Sequence, residues 1–176
     1  MRNLKVLPLI LLALSLCSCS NVLSTAPFGE TPYVAKPEDW DGIWVAREMF
    51  IHMKVMDGPG GIIKAAWIEP YDKGFKMESH DVWLRKTGEW AFASVKAEGD
   101  EGLYVWVHFK RDKEQIICIL PDPDEFKTLC AAGKIPCRDR GGDTIIDGLT
   151  SAHTAAVTSK GLYDWPSPLV FTRLPR

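Results

Sequence analysis

Apolar and polar residues alternate along the chain from Asp41 to Leu120, and turn signals interrupt the alternation at short intervals. A period of two is typical of strands with one buried face, and Gly, Pro and Asp clusters are typical of hairpins between antiparallel strands. The pattern predicts strands at 43–56, 62–69, 75–86, 89–98, 101–110 and 115–120. We expect the first of these to be bent because it is long.

The chain changes character after the last of these strands. Asp122 is a suitable N-cap, Pro123 fits the first position of a helix, and Gly133 is typical of a helix end. A short strand at 144–149, a weaker helix at 152–160 and a closing strand at 169–174 follow. This order predicts a mainly β (α+β) domain. We expect an antiparallel meander that forms a small barrel or half-barrel, with one or two short helices in the C-terminal third.

Two candidate tight turns, Thr87-Gly88 and Gly99-Asp100, predict which strand residues face each other if each is a two-residue hairpin loop. The resulting register places nine residues on one face of three neighbouring strands. They are His80, Val82, Leu84, Ala91, Ala93, Val95, Tyr104, Trp106 and His108, and all except Leu84 and Val95 are the predicted ligand-binding residues. Because the alanines lie beside large aromatic residues, this face predicts either a tightly interdigitated core or a cup for a ligand. The opposite, outer face carries Trp83, Arg85, Trp90, Phe92 and Phe109.

The N-terminus has the pattern of a removable export signal. Arg2 and Lys5 precede an apolar run at 7–16, which is shorter than the roughly 20 residues that a membrane-spanning helix needs. The sequence Leu16-Cys17-Ser18-Cys19 then places a small residue directly before a cysteine. This segment resembles the lipobox of bacterial lipoproteins, and the resemblance implies cleavage after Ser18 and lipidation of Cys19.

The chain is predicted to have three parts: a signal peptide at 1–18, a lipidated N-terminus with a flexible tether at 19–38, and a single β-rich domain at 39–176. The lipobox resemblance implies only the signal peptide and the lipidation. Serine, proline and glycine in the second part are typical of a flexible linker. Ser20 follows the lipidated cysteine. By the sorting rule of enterobacteria-like lipoproteins, a residue other than aspartate implies the outer membrane, facing the periplasm. We therefore expect a cell-envelope protein attached to the membrane through its N-terminal lipid.

The charge of the chain argues against a nucleic-acid partner. Loss of the basic residues Arg2 and Lys5 with the signal changes the formal net charge from −2 to −4, and the sequence has no basic patch. Seven tryptophans and 46% hydrophobic residues are enough to fill a core.

Gly42-Ile43-Trp44, at the head of the first predicted strand, is similar to the Gly-x-Trp opening of lipocalins and related calycin barrels. In that family the tryptophan closes the base of the barrel and an arginine on the last strand packs across it. The resemblance implies these roles for Trp44 and Arg173. The family's Thr-Asp-Tyr motif is absent from this chain.

Three cysteines follow Cys19 in the sequence. Cys130 and Cys137 lie seven residues apart across a predicted helix end. Because the periplasm is oxidising, we predict that these two form a disulfide and that Cys118 is a free thiol in the core.

The sequence gives no pattern that predicts catalysis or a metal site. The Met and His residues at 49, 52, 53 and 56 divide between the two faces of a strand. His80 and His108 lie two rows apart in the predicted register, too far for one ion. Motifs of serine hydrolases, zinc proteases and phosphate-binding loops are absent. We therefore expect a non-enzymatic protein without a metal or other cofactor.

Three functions remain open from the sequence. The leading hypothesis is a module that binds a small apolar ligand or lipid in the predicted cup. The second is a protein-interaction module in envelope assembly or maintenance, whose outer aromatic face meets another envelope protein or simply lies under a helix. A hydrolase is third, because a carboxylate pair assembled from distant strands leaves no sequence motif.

Overall fold

The computed structural model describes residues 20–47, 49–71, 74–99 and 102–175. Cys19 and the segment before it lie outside these residues, so the lipobox stays a prediction. The described residues form one twelve-stranded sheet. Its strands are β1 (Val22–Ser24), β2 (Thr31–Pro32), β3 (Gly42–Ala46), β4 (Met49–Asp57), β5 (Ile62–Tyr71), β6 (Gly74–Thr87), β7 (Trp90–Lys96), β8 (Tyr104–Asp112), β9 (Gln115–Ile119), β10 (Cys137–Arg140), β11 (Asp143–Ile146) and β12 (Leu169–Arg173).

The helices are short. They are α1 (Pro37–Trp40), α2 (Pro123–Ala131) and α3 (Thr154–Val157), with 3-10 turns at Ser151–His153 and Lys160–Leu162. Asp122 caps α2 as predicted, because its carboxylate accepts hydrogen bonds from the backbone N–H groups of Asp124 and Glu125 at 3.0 and 3.2 Å. No helix among the described residues has the length and apolar character needed to cross a membrane.

Eight antiparallel strands close into a barrel in the order β8-β7-β6-β5-β4-β3-β12-β9, and β9 pairs again with β8. The last strand completes the closure by pairing Phe171 with Ile116 of β9 and Arg173 with Trp44 of β3. This confirms the predicted mainly β fold and makes the barrel closed rather than half-open. A barrel of eight strands has an interior just wide enough for side chains or for one small ligand.

The single bent strand predicted at 43–56 is two strands, β3 and β4, joined by a hairpin. The chain turns at Arg47, which has a φ of 54°. A non-glycine residue at positive φ is uncommon, and no glycine, proline or asparagine marks this turn. The sequence therefore gave no local signal for it.

The segment at 21–38 packs against the barrel and differs from the predicted flexible tether. β1 pairs with β8 and β11, and β2 pairs with β6 beyond the end of β5. The backbone N–H of Phe28 donates to Ser94 Oγ at 2.9 Å, and the Arg85 guanidinium donates to Gly29 O and Glu30 O at 3.0 and 2.8 Å. Burial of apolar side chains and these hydrogen bonds offset the entropy cost of ordering the segment.

A second core lies outside the barrel wall. The outer aromatic cluster consists of Phe28, Phe92, Trp106, Phe126 and Tyr163, all at most 4% exposed. Residues from the N-terminal segment, from β7 and β8, from α2 and from the chain before β12 therefore pack together. β1, β11 and β10 extend the sheet beside this cluster.

A disulfide joins Cys130, near the end of α2, to Cys137, the first residue of β10. This is the predicted pair. Cys118 lies on β9 and is the free cysteine among the described residues. Burial in the barrel wall raises its pKa to about 12, so the thiol form persists near neutral pH.

Trp44 and Arg173 meet at one end of the barrel. Trp44 is fully buried, and the Arg173 guanidinium lies 5.6 Å from the centroid of its ring. Arg173 donates to Glu38 O at 2.7 Å and also to Asp41 O, which ties the last strand to α1. Gly42 has a φ of 142°, and a Cβ at this position would lie 3.2 Å from Arg173 Nε. Both the backbone conformation and the close approach therefore favour glycine.

Candidate functional site

The barrel encloses an apolar cavity of about 150 Å³. Alternate residues of the strands point into it, because successive side chains of a strand face opposite sides of the sheet. The wall includes Ile51, Met53, Ile63, Val82, Leu84 and Val95. An empty apolar cavity of roughly this size can hold a benzene-sized molecule.

Two small residues on the inner face leave the space that forms the cavity. Ala65 of β5 pairs with His80, and Ala93 of β7 pairs with Leu84 on one side and Val107 on the other. Each alanine therefore lies between larger neighbours at the same level of the barrel. A larger side chain at either position would occupy the cavity.

Aromatic rings block one end of the barrel. Trp40 of α1 lies 5.5 Å from Phe109 and 6.3 Å from Tyr33 between ring centroids, in edge-to-face contacts. Trp40 and Phe109 are at most 3% exposed, and both line the cavity. We call this the closed end.

The other end carries the exposed residues that line the cavity, and we call it the mouth. They are Arg47, Lys96 and Ser167. Arg47 and Lys96 are the formally charged side chains among the described lining residues, and both are basic. The cavity is therefore apolar inside, and two basic side chains line its opening.

Four further polar or aromatic residues lie near the mouth. Glu78 and His80 point inward from β6, and the Trp67 ring stacks on the His80 imidazole at 4.9 Å with an interplanar angle of 11°. Glu98 follows β7 and lies near Glu78 and His80, so three side chains of types that can bind metals lie together.

Of the seven predicted ligand-binding residues, three have side chains on the inner face that line the cavity: His80, Val82 and Ala93. Ala91 shares this face and is buried near the closed end, where it pairs with Phe109. Trp106 contributes to the cavity wall, but its ring stacks on Phe28 outside the barrel at 3.6 Å.

Tyr104 and His108 do not face the cavity, so their predicted placement was wrong. β8 pairs Ala91 with Phe109 rather than with His108, because the loop after β7 is longer than the predicted two-residue turn. Ala97 N donates to Leu103 O across this loop. The register moves by one residue, and a shift of one residue turns every side chain to the other face. Val105, Val107 and Phe109 therefore point inward.

The first turn was also displaced, with a smaller effect. Thr87 pairs with Trp90, so Gly88 and Glu89 form the loop instead of Thr87 and Gly88. The register between β6 and β7 moves by two residues, which keeps each side chain on its predicted face.

His108 is a buried member of the outer layer. It is 2% exposed, its Nδ1 lies 2.9 Å from Ala91 O, and the Trp90 ring lies 4.4 Å away. Because a carbonyl oxygen only accepts, Nδ1 carries the proton. Burial lowers the pKa of His108, and the positive charge of Lys110 acts in the same direction, although the hydrogen bond to Ala91 opposes both.

The predicted outer aromatic face is largely covered by the chain itself. Phe92 is fully buried in the outer aromatic cluster. The ring centroid of Trp90 lies 5.2 Å from that of Tyr163 and 6.2 Å from that of Trp165. Phe109 points into the barrel instead. This face was predicted either to meet another protein or to lie under a helix, and the structure shows most of it beneath other elements of the same chain.

Sequence reasoning missed several cavity residues. No sequence pattern identifies Arg47, Lys96 or Trp40 as cavity residues. Their positions at the two ends of the cavity follow from closure of the barrel. Trp67 could have been found. It alternates with Ile63 and Ala65 on the predicted strand at 62–69, so these three residues share one face.

The fold and the site together define a small closed antiparallel β-barrel with an apolar interior cavity. No protein-family model, no curated protein and no solved structure matches this chain.

Proposed function

We propose that this chain is a lipid-anchored envelope protein whose barrel binds a small apolar ligand without catalysis. The observation that carries the proposal is the apolar cavity of about 150 Å³, which is closed at one end by aromatic rings and opens at the other. Binding sites for small molecules are typically concave and mostly apolar, with a few polar groups that fix orientation.

The dimensions and charges of the cavity suggest the type of ligand. The volume suits a single aromatic ring or the end of an acyl chain. Arg47 and Lys96 line the cavity at the mouth, whereas the nearby Glu78 and Glu98 are not lining residues. The two basic side chains would therefore favour an amphiphile whose head group is negatively charged, because opposite charges attract across a partly desolvated site. We therefore propose short fatty acids or aromatic acids as the ligand class.

The proposed location depends on the N-terminal sequence. The lipobox resemblance and Ser20 support attachment of Cys19 to the outer membrane, with the barrel in the periplasm. The interaction-module alternative has less support, since the aromatic face expected to meet a partner packs against the chain's own segments.

A cavity-filling substitution tests the proposed function. In soluble protein without residues 1–19, we expect saturable binding of toluene and hexanoate by calorimetry. Ala93→Phe should reduce both affinities by about tenfold or more and leave stability nearly unchanged, because the added ring fills existing space.

Ala66→Phe is the matched control. Ala66 neighbours Ala65 on β5 but faces outward, so the same change should leave ligand binding intact. A parent protein that binds neither compound, together with an Ala93→Phe variant destabilised by roughly 1–3 kcal/mol, would indicate a dry, filled core and refute the proposal.

A further inference from the structure

Three side chains that can bind metals meet where the cavity opens. Glu78 and His80 are two residues apart on β6, so both point to the barrel interior, and Glu98 follows β7. One donor atom from each residue lies within 4.8 Å of the other two, and His80 Nε2 lies 3.7 Å from Glu78 Oε2. Stacking on Trp67 holds the imidazole in place.

Two carboxylates in this position repel each other. Glu78 is 8% exposed, so water screens its charge poorly, and Glu98 brings a second negative charge within 4.8 Å. A divalent cation between them would reverse this repulsion.

We propose that Glu78, His80 and Glu98 bind a divalent transition-metal ion at the mouth of the barrel. One imidazole nitrogen and two carboxylate oxygens suit Zn²⁺, Co²⁺, Mn²⁺ or Fe²⁺, whereas Ca²⁺ prefers oxygen ligands alone and Cu⁺ prefers sulfur.

The geometry requires only a small adjustment. Metal–ligand bonds of about 2.1 Å place neighbouring donor atoms about 3–3.5 Å apart, so the exposed Glu98 side chain must move inward by about 1 Å. Three protein donors leave a coordination position for water or for a donor atom of a molecule in the cavity. The metal site goes beyond the proposed ligand-binding function and does not depend on it.

Metal titration of the full-length protein tests the inference. The protein is purified in a non-ionic detergent, stripped of metal with a chelator, and titrated with ZnCl₂ by calorimetry and with CoCl₂ by visible absorption. We expect one equivalent of Zn²⁺ to bind with micromolar affinity or tighter. Bound Co²⁺ should show the intense ligand-field bands of a tetrahedral or five-coordinate ion.

Substitutions at the cluster have matched controls elsewhere. Glu98→Gln and His80→Asn should each weaken Zn²⁺ binding by roughly tenfold or more and remove the Co²⁺ bands. Glu89→Gln, in the hairpin turn at the opposite end of the barrel, and His52→Asn, on the exposed face of β4, should leave both signals unchanged. Because Glu98 is exposed, its variant keeps the test valid even if His80→Asn unfolds.

Two results would overturn the metal site. One is an unmodified protein that shows no saturable uptake of either ion. The other is an equal loss of binding in the cluster variants and in the controls, which would indicate adventitious coordination. Loss of hexanoate binding in Ala93→Phe with Zn²⁺ binding retained would show that the two sites are separate.

Discussion

At the scale of single residues, His108 illustrates the energetic cost of a buried titratable group. Its imidazole is enclosed by Trp90, Tyr163 and Trp165, at centroid distances of 4.4, 5.6 and 5.7 Å. Protonation there would place a positive charge in a poorly solvated layer near Lys110. The neutral form is therefore favoured in the folded state.

We predict that folding stability falls as the pH drops below about 6.5, the ordinary pKa of histidine. The unfolded chain then takes up a proton at His108 that the folded chain excludes, so protonation favours unfolding until the pH reaches the lowered folded-state pKa. His108→Asn cannot titrate and should show a flatter pH dependence. Urea midpoints measured from pH 7.5 to 5 check this.

His52→Asn is the control for the pH experiment. His52 is exposed on β4, so the variant should retain the slope of the parent. Equal slopes for the parent and His108→Asn would contradict the assignment of the acid sensitivity to His108.

Residue-level predictions succeeded where the sequence separation is short. Cys130 and Cys137 could be paired because only a helix end lies between them, and their Cα atoms lie 5.9 Å apart. The face that His108 occupies could not be predicted, because it depends on the length of the loop between β7 and β8. The His108 neighbours Tyr163 and Trp165 come from a distant part of the chain.

At the scale of elements, the disulfide fixes the end of α2 to the start of β10. We predict that Cys137→Ser lowers the free energy of unfolding by about 2 kcal/mol, because the unfolded chain gains the entropy of an opened short loop. The shift of the urea midpoint measures this loss.

Reduction provides the control for the disulfide. Dithiothreitol should lower the midpoint of the parent but leave that of Cys137→Ser unchanged. Peptide mapping of the unreduced protein should recover Cys130 linked to Cys137, and a peptide containing Cys118 in a disulfide would contradict the pairing.

Most strands could be predicted from alternation, whereas their register could not. Alternation depends only on which face of each strand is buried, so it is visible locally. Register depends on the residues that form each loop. A glycine indicates that a turn is near but not which residues form its loop, as Gly88 and Gly99 show. The turn at Arg47 has no glycine, proline or asparagine to indicate it.

At the scale of the whole molecule, closure of the barrel could not be predicted because it joins distant strands. β12 pairs with β9 and β3, and the residues between β9 and β12 form the outer layer. The N-terminal segment is fixed in the same way, by contacts with β6, β8 and β11. No local pattern in 21–38 distinguishes such a packed segment from a tether.

Membrane attachment is a prediction at this scale. Cys19→Ser should leave an unprocessed precursor that incorporates no labelled palmitate, because the cysteine thiol and the new amino group are the sites of acylation. Cys17→Ser is the matched control and should be processed and labelled normally. Labelling of Cys19→Ser but not of Cys17→Ser would show that the site was assigned to the wrong cysteine.

The position of β1 determines how such an anchor would orient the barrel. Two residues separate Cys19 from Val22, and Asn21 is already fixed by hydrogen bonds from its N and Nδ2 to Asp143 Oδ1 at 2.7 and 3.0 Å. β1 then runs toward Tyr104, whose partner Lys96 lies at the mouth. If Cys19 carries the lipid, the barrel stands close to the bilayer with its opening turned toward water. Molecules would then enter and leave through the aqueous compartment rather than from the membrane that holds the protein.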